Sequence, residues 1–169
     1  MKGRSLLTIM TAALLVLAAT GGARARGEEK KVRLKGHELA LPEPVRFEPG
    51  TDKLEKGSEE SLRLVADFLK EKKVITTLRV EGHVAGGADR KAAQTLSERR
   101  ALAVARRLAA QGVDCKRLVA VGFGDTKPAG AGADANERVT FVNAALAGRL
   151  IGGMPADGGG KVAGETCRQ

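Results

Sequence analysis

Arg100 sits where a cation has to be accounted for. Plotted at ~100° per residue, Ala93, Leu96, Ser97, Arg100, Ala101, Val104 and Leu108 fall on one face of a helix. A guanidinium inside that apolar stripe is costly to desolvate unless an anion meets it. The helix follows a strand ending in Gly82-His83 and a glycine-rich turn, so the cation is aimed at whatever lies over the strand end. Two readings stay open at this point. Arg100 serves an anionic ligand, or it forms an ion pair with a carboxylate at the edge of the core.

Catalytic chemistry finds little support. No motif places a Ser or Cys beside His83, and Ser97 lies inside the helix rather than on a nucleophile elbow. Glu81 and Asp125 form a carboxylate pair only in principle, because Asp125 follows Gly124 and reads as a turn residue. The chain reads as a non-enzyme without a cofactor. Its two histidines and unclustered thiols argue against a metal site. Cys115 and Cys167 are the only cysteines. An even count in an exported chain suits one disulfide, with one possible pairing; two free or intermolecular thiols are the alternative.

Four segments carry a family resemblance: Glu81-Gly82-His83, the LSERRA run at 96–101, the GFGDTKP turn at 122–128 and the NERV run at 136–139. In order and spacing this set resembles the OmpA-like domain, over roughly residues 44–145. The family pattern reads GHTD, N-x-x-L-S-x-x-R-A, G-x-G-x-x-x-P and N-R-R-V. The resemblance implies non-covalent binding of peptidoglycan, chiefly through the diaminopimelate of its stem peptide. It assigns Arg100, Asn136 and Arg138 to the ligand, with Gly82 and Gly86 letting it approach the backbone; plain turn geometry is the other reading of these glycines. By analogy the arginine takes the diaminopimelate carboxylate. The ammonium partner is missing, because Ala85 stands where the family has its aspartate. Ala93 likewise replaces an asparagine, and Glu137 replaces the first arginine of NRRV. Half of a zwitterion clamp remains. Two functions follow as expectations: a peptidoglycan-associating module with weakened diaminopimelate binding, or a degenerate scaffold that binds another outer-membrane or periplasmic protein.

The N-terminus reads as a secretory signal, with Lys2 and Arg4, an apolar run from Leu6 to Thr20, and an A-x-A site at Ala23-Arg24-Ala25. The run is shorter than the roughly 20 residues a membrane span needs. Cleavage after Ala25 leaves 169 − 25 = 144 residues and removes three cations and no acid, lowering the formal charge from +9 to +6. The expected location is the periplasm of a Gram-negative bacterium, associated with the cell wall or outer membrane. A basic surface suits anionic polymers. Export, together with the lack of Trp and Tyr for base stacking, argues against nucleic acid.

These elements must position the site. Residues 26–42 form a basic leader that adds an edge strand or stays outside the fold, and Val45 to Phe47 read as a first strand. Ser58 is expected to cap a helix bearing Glu59 and Glu60 in its first turn. Its Leu62, Val65, Ala66 and Leu69 follow the spacing that buries one face. A strand over 74–82, a helix over 89–110, and strands over 118–123 and 138–142 complete a β-α-β-α-β-β order. That order implies an α+β fold, with two helices on one face of a mixed sheet. The domain is bounded at 43–145. Residues 146–169, rich in glycine, read as a mobile tail.

Overall fold

The computed structural model describes residues 30–167, apart from residues 88, 154 and 156. The expected signal peptide at 1–25 lies outside the described residues.

Among the described residues seven strands form one mixed sheet: β1 (Arg33–Lys35), β2 (Glu38–Ala40), β3 (Ile75–His83), β4 (Leu118–Gly122), β5 (Arg138–Leu146), β6 (Arg149–Leu150) and β7 (Lys161–Val162). Their order is β1-β2-β5-β3-β4-β7, with β6 paired to β5. Among the described residues only β3 and β4 run parallel, in register from Leu78↔Leu118 to Gly82↔Gly122. A parallel pair needs a crossover, and α2 (Arg90–Ala110) supplies it. With α1 (Ser58–Glu71), it packs on one face of the sheet, as the β-α-β-α order requires.

Strand alternation decides what each face buries. Leu78 and Val80 of β3 meet Leu62, Val65 and Leu69 of α1 and Val104 and Leu108 of α2; Leu118 and Phe141 join them. Arg79, Glu81 and His83, the alternate residues of β3, point to the opposite face and are nevertheless buried. Arg79 reaches the C-terminal segment there, donating to Gly153 O at 3.1 Å.

Three local expectations are corrected. Residues 45–47 form no strand, only an isolated bridge between Phe47 and Leu54. The backbone of Arg46 is satisfied by a side chain instead: its N–H donates to Ser58 Oγ at 2.8 Å, and Ser58 Oγ donates to its carbonyl at 2.9 Å. The Ser58 hydroxyl is therefore engaged away from the helix end. The N-cap is Gly57, with no side-chain cap bond. Finally, the sheet runs past both expected domain boundaries. The leader follows its edge-strand reading, contributing the β1–β2 hairpin joined to β5 through Glu38↔Val142, whereas the Gly-rich tail, expected to be mobile, contributes β6 and β7. A short helix, α3 (Ala133–Asn136), precedes β5.

Candidate functional site

Asp89 caps α2, accepting from Ala92 N–H at 2.9 Å. Two glycines let the helix lie close to the sheet. A Cβ at Gly82 would strike the Ser97 carbonyl, and one at Gly122 would strike the Glu98 backbone N–H. The structure thus places Gly82 under the helix, in the packing interface. Ser97 bridges inward, donating to Gln94 O at 2.7 Å and accepting from Gly124 N–H at 2.8 Å. That hydroxyl is spent on the turn after β4.

With α2 seated this way, Arg100 is only 2% exposed. Its guanidinium lies 5.0 Å from the Phe47 ring centroid. Nε donates to Thr51 O at 2.8 Å and Nη1 donates to Glu137 Oε2 at 3.1 Å. Glu137 is the anion that the helix pattern demanded, and it stands at one of the positions where the sequence departs from the family pattern. The pair borders a cavity of about 270 Å³ lined by Arg46, Phe47, Pro49, Gly50, Glu55, Arg100 and Glu137. Two guanidinium groups and two carboxylates share it.

The other expected site residues do not line this cavity. Asn136 is spent on the loop before α3, where Oδ1 accepts from Ala129 N–H at 2.8 Å and Nδ2 donates to Gly130 O and Gly132 O at 2.9 and 2.8 Å. Arg138 donates to Lys127 O at 3.1 Å and Ala135 O at 3.4 Å. Partial burial lowers the Arg138 pKa from its ordinary value, against the pull of Glu38 and Glu81. Gly86 lies beside Asp125: an added Cβ would stand 3.3 Å from that carboxylate. Ala93 is buried on the inner face of α2, and Ala85 is half-buried beyond the end of β3. Ala85, Gly82 and Gly86 are therefore grouped around the strand end, while Arg100 reaches the 46–55 segment.

That segment was missed as a source of site residues. Its signal was available in the Phe47-x-Pro49-Gly50 run, an aromatic beside a turn, but nothing in the spacing joins it to residue 100.

On the opposite face, Glu81 accepts from Arg79 Nε at 2.6 Å and stands 3.6 Å from His83 Nε2. Burial pushes the Glu81 carboxyl up, but the His83 contact and the Arg79 guanidinium outweigh it, and its pKa lies below the ordinary carboxylate value. His83 stacks on Phe123 with centroids 5.3 Å apart and meets Thr140 Oγ1 at 3.4 Å. Asp125 pairs with Arg90 at 3.7 Å. Each of the two carboxylates considered for catalysis thus has its own cation. Among the described residues, no group of three or more His, Cys, Asp or Glu side chains is placed to hold a metal. Cys115 and Cys167 are joined, with their Cα atoms 5.1 Å apart.

Two helices packed on a mixed sheet make an α+β fold of the OmpA-like class. The OmpA family model matches residues 46–140, and the chain belongs to that family. Among solved structures, the chain is similar to the OmpA-like domain of FopA1 from Francisella tularensis, at 22% identity over 65% of this chain and 75% of that one, with a TM-score of 0.53. It is similar to the periplasmic domain of Helicobacter pylori MotB at 18% identity, covering 66% and 78% of the two chains, with a TM-score of 0.55. The peptidoglycan-associated lipoprotein of Burkholderia pseudomallei matches at 24% identity over 59% and 86%, with a TM-score of 0.50.

Proposed function

We propose that this chain is a non-catalytic module of the cell envelope that associates with peptidoglycan, exported to the periplasm and holding the wall weakly. The observation that carries the reading is the buried Arg100 at the edge of a solvent-reaching cavity. A desolvated guanidinium is suited to a carboxylate such as that of diaminopimelate, by charge-assisted hydrogen bonds. Family membership and the likeness to a peptidoglycan-associated lipoprotein point the same way. Weakness follows from Ala85, which leaves the ligand's ammonium without the family's aspartate. Asn136 and Arg138 enter this reading as residues that hold the rim of the cavity.

Sedimentation with purified sacculi tests it. The unmodified protein is expected to co-sediment weakly. Arg100→Ala, checked for folding by thermal melting, should lose what binding there is: a charge-assisted contact contributes roughly 1.5–3 kcal/mol, or about 10- to 150-fold in affinity. Ala85→Asp should bind more tightly by offering the ammonium a partner. If neither the unmodified protein nor Ala85→Asp sediments, the wall reading is wrong. The second reading, a scaffold for another envelope protein, would then replace it. Glu137 favours that alternative, because it already satisfies Arg100.

A further inference from the structure

We propose that Glu137 is a tethered competitor: its carboxylate occupies the seat on Arg100 that a ligand carboxylate would take, and so sets the affinity of the site. The inference rests on the reading of Arg100 as the residue that receives the ligand.

The pair is asymmetric. The Arg100 side chain is 3% exposed, whereas that of Glu137 is 44% exposed, so the cation is fixed in the protein and the anion can swing into solvent. The backbone beneath the anion is held on both sides. Asn136 makes three hydrogen bonds to the preceding loop, and Glu137 N–H donates to Ala133 O at 2.8 Å. Arg138 binds the carbonyls of Lys127 and Ala135. Residues 136 and 138 thus form a frame whose intervening side chain is presented to the cavity.

An incoming carboxylate meets a guanidinium that is already neutralised, with a like charge beside it. It must displace Glu137, whose half-exposed carboxylate can turn out to water while Arg100 stays buried. The tether raises the local concentration of the competitor far above that of any free ligand. Arg46 remains in the same cavity as a second cation, and Glu55 as a second anion. Displacing Glu137 therefore leaves a pocket with both signs of charge.

Glu137→Gln removes the charge, keeps the side-chain length, and leaves an amide oxygen that can still accept from Arg100. Binding is measured by sacculus sedimentation and by calorimetry with a soluble stem tripeptide containing diaminopimelate. The variant is expected to bind roughly 3- to 10-fold more tightly than the unmodified protein, combining loss of a weak ion pair with relief of like-charge repulsion. The gain should vanish in the Arg100→Ala background, and the melting temperature of Glu137→Gln should stay within a few degrees of the parent. Binding by Glu137→Gln where the unmodified protein shows none, with Ala85→Asp also bound, supports the proposal as well. Equal or weaker binding by Glu137→Gln, with the unmodified protein bound, overturns the competitor and leaves the wall reading standing. A gain that persists without Arg100 overturns it too, because the charge would then act elsewhere. If no variant binds either probe, the wall reading fails and takes the competitor with it.

Discussion

Glu81 shows how a buried charge on this sheet is kept ionised. The largest influence on it is burial, which favours the neutral acid, yet the contact with His83 and the bond from Arg79 prevail and lower its pKa. A carboxyl whose folded pKa lies below its unfolded value of ~4.3 stabilises the fold fully above that value. The contribution is lost as the pH falls through the lower, folded value. Acid should therefore destabilise the protein from about pH 4 downward, and Glu81→Gln should show a flatter decline over the same range, although it is less stable at pH 7 because Arg79 loses its partner. Thermal melts at pH 7, 5, 4 and 3 check this. Parallel declines for the two proteins would place the acid sensitivity elsewhere. Single residues were legible to different depths. The period of the helix was enough to flag Arg100 as a buried cation in need of an anion. It could not name Glu137, 37 residues away, because that pairing exists only once β5 lies beside β3. Asn136 and Arg138 were singled out by motif, but their hydrogen bonds to neighbouring carbonyls could not be read from a linear pattern.

At the scale of elements, the long helix and the central strands were readable because each has a strong period and clear punctuation. The 89–110 expectation became Arg90–Ala110 with Asp89 as its cap. Edges were less legible. The hairpin at 33–40 is three residues a side, so short that its alternation left an edge strand as one of two readings, and Ser58 was assigned to a cap because no local rule reveals that its hydroxyl serves the backbone of Arg46. The closeness of α2 to the sheet was also hidden, although the glycines that permit it were noticed. Gly82 faces the Ser97 carbonyl, a backbone atom that cannot rotate aside. Gly82→Ala should push the helix off the strand and cost at least about 2 kcal/mol, as overpacking does. Gly86→Ala meets only the Asp125 side chain, at 3.3 Å, a tight contact that a carboxylate at the surface can relieve by turning, and should cost about 0.5 kcal/mol or less, like other surface substitutions. Urea unfolding of the two variants measures both. Equal losses would mean that Gly82 is needed for chain conformation rather than for close packing.

Over the whole molecule, the segment after β5 works as a strap, which its glycine-rich composition concealed. Composition reports the freedom of an isolated chain; it is silent on bonds to distant partners. Ile151 N–H donates to Ala144 O at 2.8 Å, and Gly153 O accepts from Arg79 at 3.1 Å. Gly160 lies against the Phe123 ring, where a Cβ would not fit. The strap then pairs as β7 with β4, adds the bond from Ala163 N–H to Ala120 O at 2.9 Å, and ends on the disulfide to Cys115. It touches the Arg79 side of the sheet directly, and its Gly160 backs the Phe123 ring on which His83 stacks. The disulfide closes a sequence separation of 52 residues, for which the chain-entropy model gives about 4 kcal/mol of stabilisation. Reduction, or the double substitution Cys115→Ser/Cys167→Ser, should lower the melting temperature by on the order of 10 °C. The loss should begin locally, with the Ala163 amide exchanging faster than the amides of β3, because β7 is a two-residue edge strand held by its neighbour and the crosslink. Thiol titration of the denatured, unreduced protein should find no free sulfhydryl. Two free thiols, with oxidised and reduced samples melting together, would show that the strap holds through hydrogen bonds and packing alone.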